Sequence, residues 1–263
     1  MTMKTERRFT HAETTAAKLL RRFAIRDPRK LVLEDLAMAL NVAVVDAPLE
    51  GAEARLLRHG NKGLIRVRAD ISEPGRRRFA IGHELGHWMR HRYSSQLNLC
   101  LGSDILGYRG SDEELEANAF SAHLLMPGKY LRDTYTAAPS LRLIKQIAHE
   151  LVTSLTATAV RIVETTDDPC MVVFTNVETE CVHWWRRSTR CPPVWLESRQ
   201  RISELSSALE TLRMAGTSPQ SESVNPSAWF RHIDDHEELV VYEESVKLGN
   251  YPVLITLLSV ARQ

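Results

Sequence analysis

The chain has 263 residues, 43% of them hydrophobic and 25% charged, with 12 Gly, 11 Pro and a formal net charge of +1. That is the composition of an ordinary globular protein with room for one large domain or two to three small ones, and it excludes collagenous, disordered and disulfide-scaffold classes. The near-neutral total hides an asymmetry. Residues 1–95 hold 19 Lys and Arg against 11 Asp and Glu, whereas the remaining 168 hold 15 against 22. The basic front part lacks the aromatic interleaving of a nucleic-acid surface and reads first as solvated. No apolar run approaches the ~20 residues of a membrane-spanning helix, and Met1 to Thr15 contains no signal-peptide core, so a cytoplasmic protein is expected.

In chain order, Ala16, Leu19, Leu20 and Phe23 recur at helical spacing between Thr10 and Ile25, and a shorter helix covers Leu31 to Leu40. Val42 to Val45 and Ala54 to Leu57 read as strands, and Asn61-Lys62-Gly63 as the turn of a hairpin leading into Leu64, Ile65 and Val67. Ser72-Glu73-Pro74-Gly75 breaks the strand, and Arg76 to His91 is helical with Phe79, Ile81 and Leu85 on its apolar side. After an irregular stretch, Ser94 to Ser111, a helix starts near Ser111 or Asp112 and runs to Pro127-Gly128. Helices at Leu141 to Leu151 and Ser154 to Val163 follow, joined tightly through Val152-Thr153-Ser154 in the manner of a helix-turn-helix. Beyond a boundary near Thr165 to Pro169 come strands at Met171 to Phe174 and Cys181 to Trp185 and a helix around Arg199 to Met214. A surface loop at Gly216 to Ser227 and strands at Glu238 to Tyr242 and Val253 to Ser259 complete the chain.

The strongest chemical signal is His83-Glu84-Leu85-Gly86-His87. Histidines at i and i+4 leave one helix face and reach a single Zn²⁺, with Glu84 beside the metal as general base. A catalytic zinc takes three protein ligands, and the helix from Asp112 offers Glu113, Glu114 and Glu116. With Ala117, Phe120, Leu124 and Leu125 forming the apolar stripe, Glu114 is the acid that projects beside it toward the metal helix. Asn118, four residues on, can hydrogen-bond a ligand histidine and orient it. Glu113 and Glu116 remain alternatives. The Glu114-to-Asn118 spacing is similar to the Glu-x-x-x-Asp arrangement of gluzincin peptidases. A second oxyanion donor is expected, with Tyr93, Tyr108 and Tyr130 as candidates.

Ile81 to His87 followed by Glu113 to Pro127 resembles the paired signature of the ImmA/IrrE metallopeptidases, over about the first 165 residues. The remainder resembles the GAF-type sensor domain of radiation-response members of that family. One departure from simple gluzincins is that 27 positions separate His87 from Glu114. The resemblance implies an α+β fold: a zincin-like metallopeptidase domain (1–128), a helical helix-turn-helix-like segment (129–166) and a GAF-like α/β domain (167–263). It implies a Zn²⁺ enzyme, with Mn²⁺ as another activating metal, that cuts a helix-turn-helix transcriptional repressor and so induces a DNA-damage or radiation response. The competing reading is a DNA-binding regulator with a structural metal. The second helix of the pair carries only Arg161 as a cation, with Thr156 and Thr158, so direct DNA binding is not expected.

In the tail, Trp184, Trp185, Trp195, Trp229, Phe230 and Tyr242, with His183, His232 and His236, suit either a pocket for a small effector or plain core. Cys100, Cys170, Cys181 and Cys191 form no C-x-x-C pair and read as free thiols.

Overall fold

A computed structural model describes residues 3–90, 111–197, 199–214, 221–230, 239–249 and 251–262. The chain is α+β and divides into two compact units. The first comprises Met1–Leu131 and Ile147–Ala157, the second Arg132–Gln146 and Thr158–Gln263. No helix among the described residues is long and apolar enough to cross a membrane.

In the first unit, helix α1 (Met3–Arg22) buries Ala12, Ala16, Leu19 and Leu20, a stripe at helical spacing. It stops where Ala24 turns left-handed at φ +54°. A 3₁₀ turn, Pro28–Lys30, is capped by Asp27, which accepts from the Arg29 amide at 3.0 Å. Helix α2 (Leu33–Ala39) then leads into a three-stranded sheet. Its strands are β1 (Val42–Ala47), β2 (Ala54–His59) and β3 (Lys62–Arg68), in the order β1-β3-β2, with β1 parallel and β2 antiparallel to β3. The hairpin turn sits slightly earlier than the sequence suggests. His59 pairs with Lys62, and Gly60, at φ +58°, supplies the first residue of a two-residue turn.

Helix α3 (Pro74–Arg90) packs on β2 and β3, and every residue from Phe79 to Trp88 is buried. Helix α4 (Asp112–Leu125) packs on both α1 and α3. Its N-cap is Ser111, whose hydroxyl accepts from the Glu114 amide, and acids fill its first turn. Pro127 does not leave the chain irregular, because a short helix α5 (Gly128–Thr134) follows directly.

The helical pair is α6 (Leu141–Leu151) and α7 (Leu155–Thr165). The division between compact units runs through both helices, so Ile147–Ala157 group with the first unit. Gly75 explains part of this: a Cβ there would lie 2.6 Å from the Thr153 carbonyl carbon, so only glycine lets the α6–α7 turn rest on the start of α3.

The second unit holds a five-stranded antiparallel sheet in the order β5-β4-β8-β7-β6. Its strands are β4 (Cys170–Asn176), β5 (Cys181–Arg187), β6 (Glu222–Val224), β7 (Leu239–Lys247) and β8 (Val253–Arg262). One face, through Met171, Val173, Leu254 and Leu258, builds a core with Trp229, Phe230 and helix α8 (Ser207–Arg213). That helix is shorter than the periodicity suggests. Arg201 instead bridges Cys181 and the Ile202 amide bonds the Glu180 carbonyl, so 199–206 runs irregularly beside β5 until Ser206 caps α8. The predicted loop at Gly216 to Ser227 contains β6, and 215–220 lie outside the described residues.

A buried carboxylate anchors this core. Glu243 on β7 accepts from Trp229 Nε1 at 2.5 Å, Ser207 Oγ at 2.5 Å, Ser206 Oγ at 3.1 Å and the Ala208 amide at 2.8 Å. Several donors on one buried carboxylate offset the loss of water, and they tie α8 and Trp229 to the sheet. The aromatics are not gathered in one place. Trp229 and Phe230 are core, Trp184 stacks on Phe174 at 4.1 Å, and Trp195 and Tyr242 are exposed. His232 and His236 lie outside the described residues. Cys170, Cys181 and Cys191 are free thiols; burial pushes Cys170 up to about 12 and Cys191 up to about 11, so neither is a thiolate near neutral pH. Cys100 is outside the described residues.

Candidate metal centre

The site begins with how close two helices can come. On α3, Gly82 and Gly86 lie one turn apart and face Ser121 and Ala117 of α4, also one turn apart. A Cβ at Gly82 would stand 2.5 Å from Ser121 Oγ, and one at Gly86 would stand 3.0 Å from the Ala117 Cα. Ser121 cannot simply turn away, because its hydroxyl donates to the Phe79 carbonyl at 2.9 Å. Small residues on both helices therefore allow an approach that larger ones would block. His83 and His87, on the same turns of α3 as these glycines, are carried up to the first turns of α4.

Gly82→Ala separates two effects of opposite sign. In an isolated helix the change would stabilise by about 1 kcal/mol, whereas overpacking a tight contact destabilises by about 1–3 kcal/mol. The expected outcome is a lower unfolding temperature together with weaker zinc uptake in a titration. A higher unfolding temperature would show that the contact is slack.

Three side chains converge. His83 Nε2 lies 3.0 Å from His87 Nε2 and 3.2 Å from Glu114 Oε2, and His87 Nε2 lies 3.3 Å from Glu114 Oε1. Two ligands held tetrahedrally at zinc bond lengths of about 2.0–2.1 Å stand about 3.3 Å apart, so this triangle has the size of one face of such a coordination sphere. His83 Nδ1 lies 2.8 Å from Asn118 Oδ1. An amide oxygen only accepts, so Nδ1 carries the proton and the Nε2 lone pair points into the cluster.

Charge follows the same geometry. Burial works against ionisation of Glu114, but hydrogen bonds to His83 and His87 hold its carboxyl well below the usual carboxylate range. Burial likewise opposes a charge on His83, and Glu114, with the Glu84 charge and Asn118, outweighs it and raises the imidazole. Two buried rings and a half-buried carboxylate form an electrostatic well of the kind that a dication fills.

Glu84 is buried at 3% exposure on the same turn and stands apart from the three converging ligand atoms. Glu116 turns away to Arg90, accepting from its Nε at 2.9 Å and its Nη2 at 2.7 Å. Glu113 is not part of the cluster. Of the tyrosines, Tyr130 is half-buried on α5, and Tyr93 and Tyr108 lie outside the described residues, as does 94–110 of the connection between His87 and Glu114. Sequence reasoning missed the glycine contact and the Arg90–Glu116 pair. The first had a signal, since Gly82 and Gly86 match Ala117 and Ser121 in spacing, each pair four apart.

Residues 37–163 match the model of the peptidase M78 family, described as the IrrE N-terminal-like domain. Over that span the chain is similar to the IrrE N-terminal-like domain. The match takes in β1 to β3 and α3 to α6, with His83, His87, Glu114 and Asn118, and ends inside α7. A family of metallopeptidase type thus coincides with a His-His-Glu cluster fit to hold a metal. Among solved structures, a Mycobacterium tuberculosis transcriptional regulator shares the fold with a TM-score of 0.62 at 13% identity, over 94% of this chain and 75% of that one. No curated protein matches.

Proposed function

We propose that this chain is a zinc-dependent, site-specific endopeptidase, gluzincin-like in its ligand set, that cuts a helix-turn-helix transcriptional repressor in the cytoplasm and so induces a DNA-damage or radiation response. The observation that carries the peptidase reading is the convergence of His83, His87 and Glu114 with a second acid, the buried Glu84, next to His83 in the chain and outside the ligand triangle. His83, His87 and Glu114 would hold the ion, Zn²⁺ or alternatively Mn²⁺. When bound, such an ion lowers the pKa of a coordinated water from about 15.7 to near 7 and polarises the scissile carbonyl. Glu84 takes the proton of the attacking water and returns it to the leaving amine. Asn118 keeps His83 in the tautomer that presents Nε2.

A regulator with a purely structural metal is the weaker reading, because a structural site is closed by a fourth ligand and has no use for Glu84. Nor does α7 offer a reading surface: Thr156, Thr158 and Arg161 are all buried. The three-part division at 1–128, 129–166 and 167–263, with a GAF-like sensor of a small effector at the end, is part of the same proposal.

The test is to incubate the purified full chain with Zn²⁺ or Mn²⁺ and helix-turn-helix repressors of its own organism, reading products by mass spectrometry. A single cut that a chelator abolishes is the expected result. Repressors left intact with both metals, but bound DNA in a mobility-shift assay, would favour the regulator instead.

A further inference from the structure

We infer that the outward face of the β1-β3-β2 sheet docks an acidic, leucine-containing segment of a partner protein. The register defines that face. Arg55 pairs with Arg66 and Leu57 with Leu64 across the antiparallel strands, while Val45 lies beside Arg66 on the parallel side. Cross-strand partners share a face, so Val45, Leu57 and Leu64 form an aliphatic strip among Arg55, Arg66, Arg68 and Lys62. The other face, with Ala54, Ile65 and Val67, is buried. The strip is open: Val45 is 41% exposed and Leu57 37%.

The charge on this face is unbalanced. Like charges directly opposite in a sheet destabilise it, yet Arg55 faces Arg66. Among the described residues no carboxylate forms an ion pair with Arg55, Arg66 or Lys62, and Arg68 is the one cation of the four with an acid, Asp70 at 2.6 Å. Arg66 reaches only the Pro48 carbonyl, at 3.4 Å, and the buried Nε of Arg55 has no hydrogen-bond partner. Carboxylates from a partner would relieve the repulsion and satisfy those donors through forked Arg–carboxylate contacts. The basic excess of the front part of the sequence thus acquires a location.

The occupant is a protein segment and not a nucleic acid, because the face carries no Phe, Tyr or Trp on which bases stack and its centre is aliphatic. Leucine side chains fit the strip, and acidic neighbours fit the arginines beside it.

The experiment uses the full chain and fluorescence anisotropy of short labelled peptides, one alternating Glu and Leu and one alternating Gln and Leu, with random-sequence duplex DNA as competitor. The Glu–Leu peptide is expected to bind at least about tenfold more tightly than the Gln–Leu peptide, and added salt should weaken it. Arg55→Glu is the decisive variant. It places an acid opposite Arg66, so the unfolding temperature should rise by about 1–3 °C while Glu–Leu affinity falls by about tenfold or more. Loss of binding in a more stable protein is not a folding defect. Leu57→Ser should weaken the peptide with the charges intact. Equal binding of the two peptides, unchanged binding by Arg55→Glu, or displacement of the peptide by DNA at lower concentration than unlabelled peptide would each overturn the inference. Binding is read without turnover, so the result is independent of peptidase activity.

Discussion

Glu84→Gln is expected to leave zinc content and substrate affinity as they are while the cleavage rate falls by a factor of about 10² or more, about 2.7 kcal/mol or more of transition-state stabilisation. The argument rests on position. Glu84 sits between the two histidines in sequence, is buried, and stays outside the triangle of converging ligand atoms. Replacing an oxygen by an amide nitrogen keeps its shape but removes the capacity to take a proton. Zinc content by elemental analysis, substrate binding by calorimetry and single-turnover cleavage separate the roles. Cleavage at the parental rate would mean that another group activates the water, and loss of zinc would mean that Glu84 is itself a ligand.

Where the first unit was legible, local rules and tertiary packing agreed. Alternation marked β3 and Ser111 with three acids behind it marked the start of α4, whereas α3 opens two residues before the expected Arg76, because Pro74 and Gly75 form its first turn instead of preceding it. The His-Glu-x-x-His spacing needs nothing beyond helical geometry to bring two imidazoles to one place. The step from α3 to Glu114 was harder, because it depends on a second helix arriving at a particular height and distance. Facing singled out Glu114, but the closeness comes from Gly82 and Gly86 meeting Ser121 and Ala117, a contact between segments far apart in sequence.

In the second unit the sequence misled where polar residues serve the core. The run from Arg199 to Met214 has helical periodicity, yet Ile202 and Arg201 are claimed by backbone partners at Glu180 and Cys181, and the helix waits for the Ser206 cap. Glu243 looks like an exposed acid on a strand, and only its donors, Trp229, Ser206, Ser207 and the Ala208 amide, reveal a buried one. Neither effect carries a periodic signal, because each is settled by pairings between residues 14 to 37 positions apart in the chain.

Glu114→Ala and Glu116→Ala make a matched pair whose outcomes should diverge, although the two acids share a helix and lie two residues apart. Glu114 touches both histidine Nε2 atoms. Its removal leaves two ligands, forfeits much of the chelation and should abolish activity along with stoichiometric zinc, as His83→Ala or His87→Ala should. It also leaves His83 without the carboxylate that raises its imidazole, so the metal-free variant should hold that ring neutral to a lower pH than the parent, a difference that histidine proton resonances can follow. Glu116→Ala removes the partner of Arg90, with side chains 12% and 14% exposed. Loss of one half of a largely buried pair destabilises the helix contact, by about 3 kcal/mol at most for a site still partly wet, but the three ligand atoms remain. Zinc should therefore stay bound at one equivalent and cleavage should continue below the melting transition. If Glu116→Ala loses zinc while Glu114→Ala keeps it, the third ligand is Glu116 and the facing of α4 has been assigned one half-turn out.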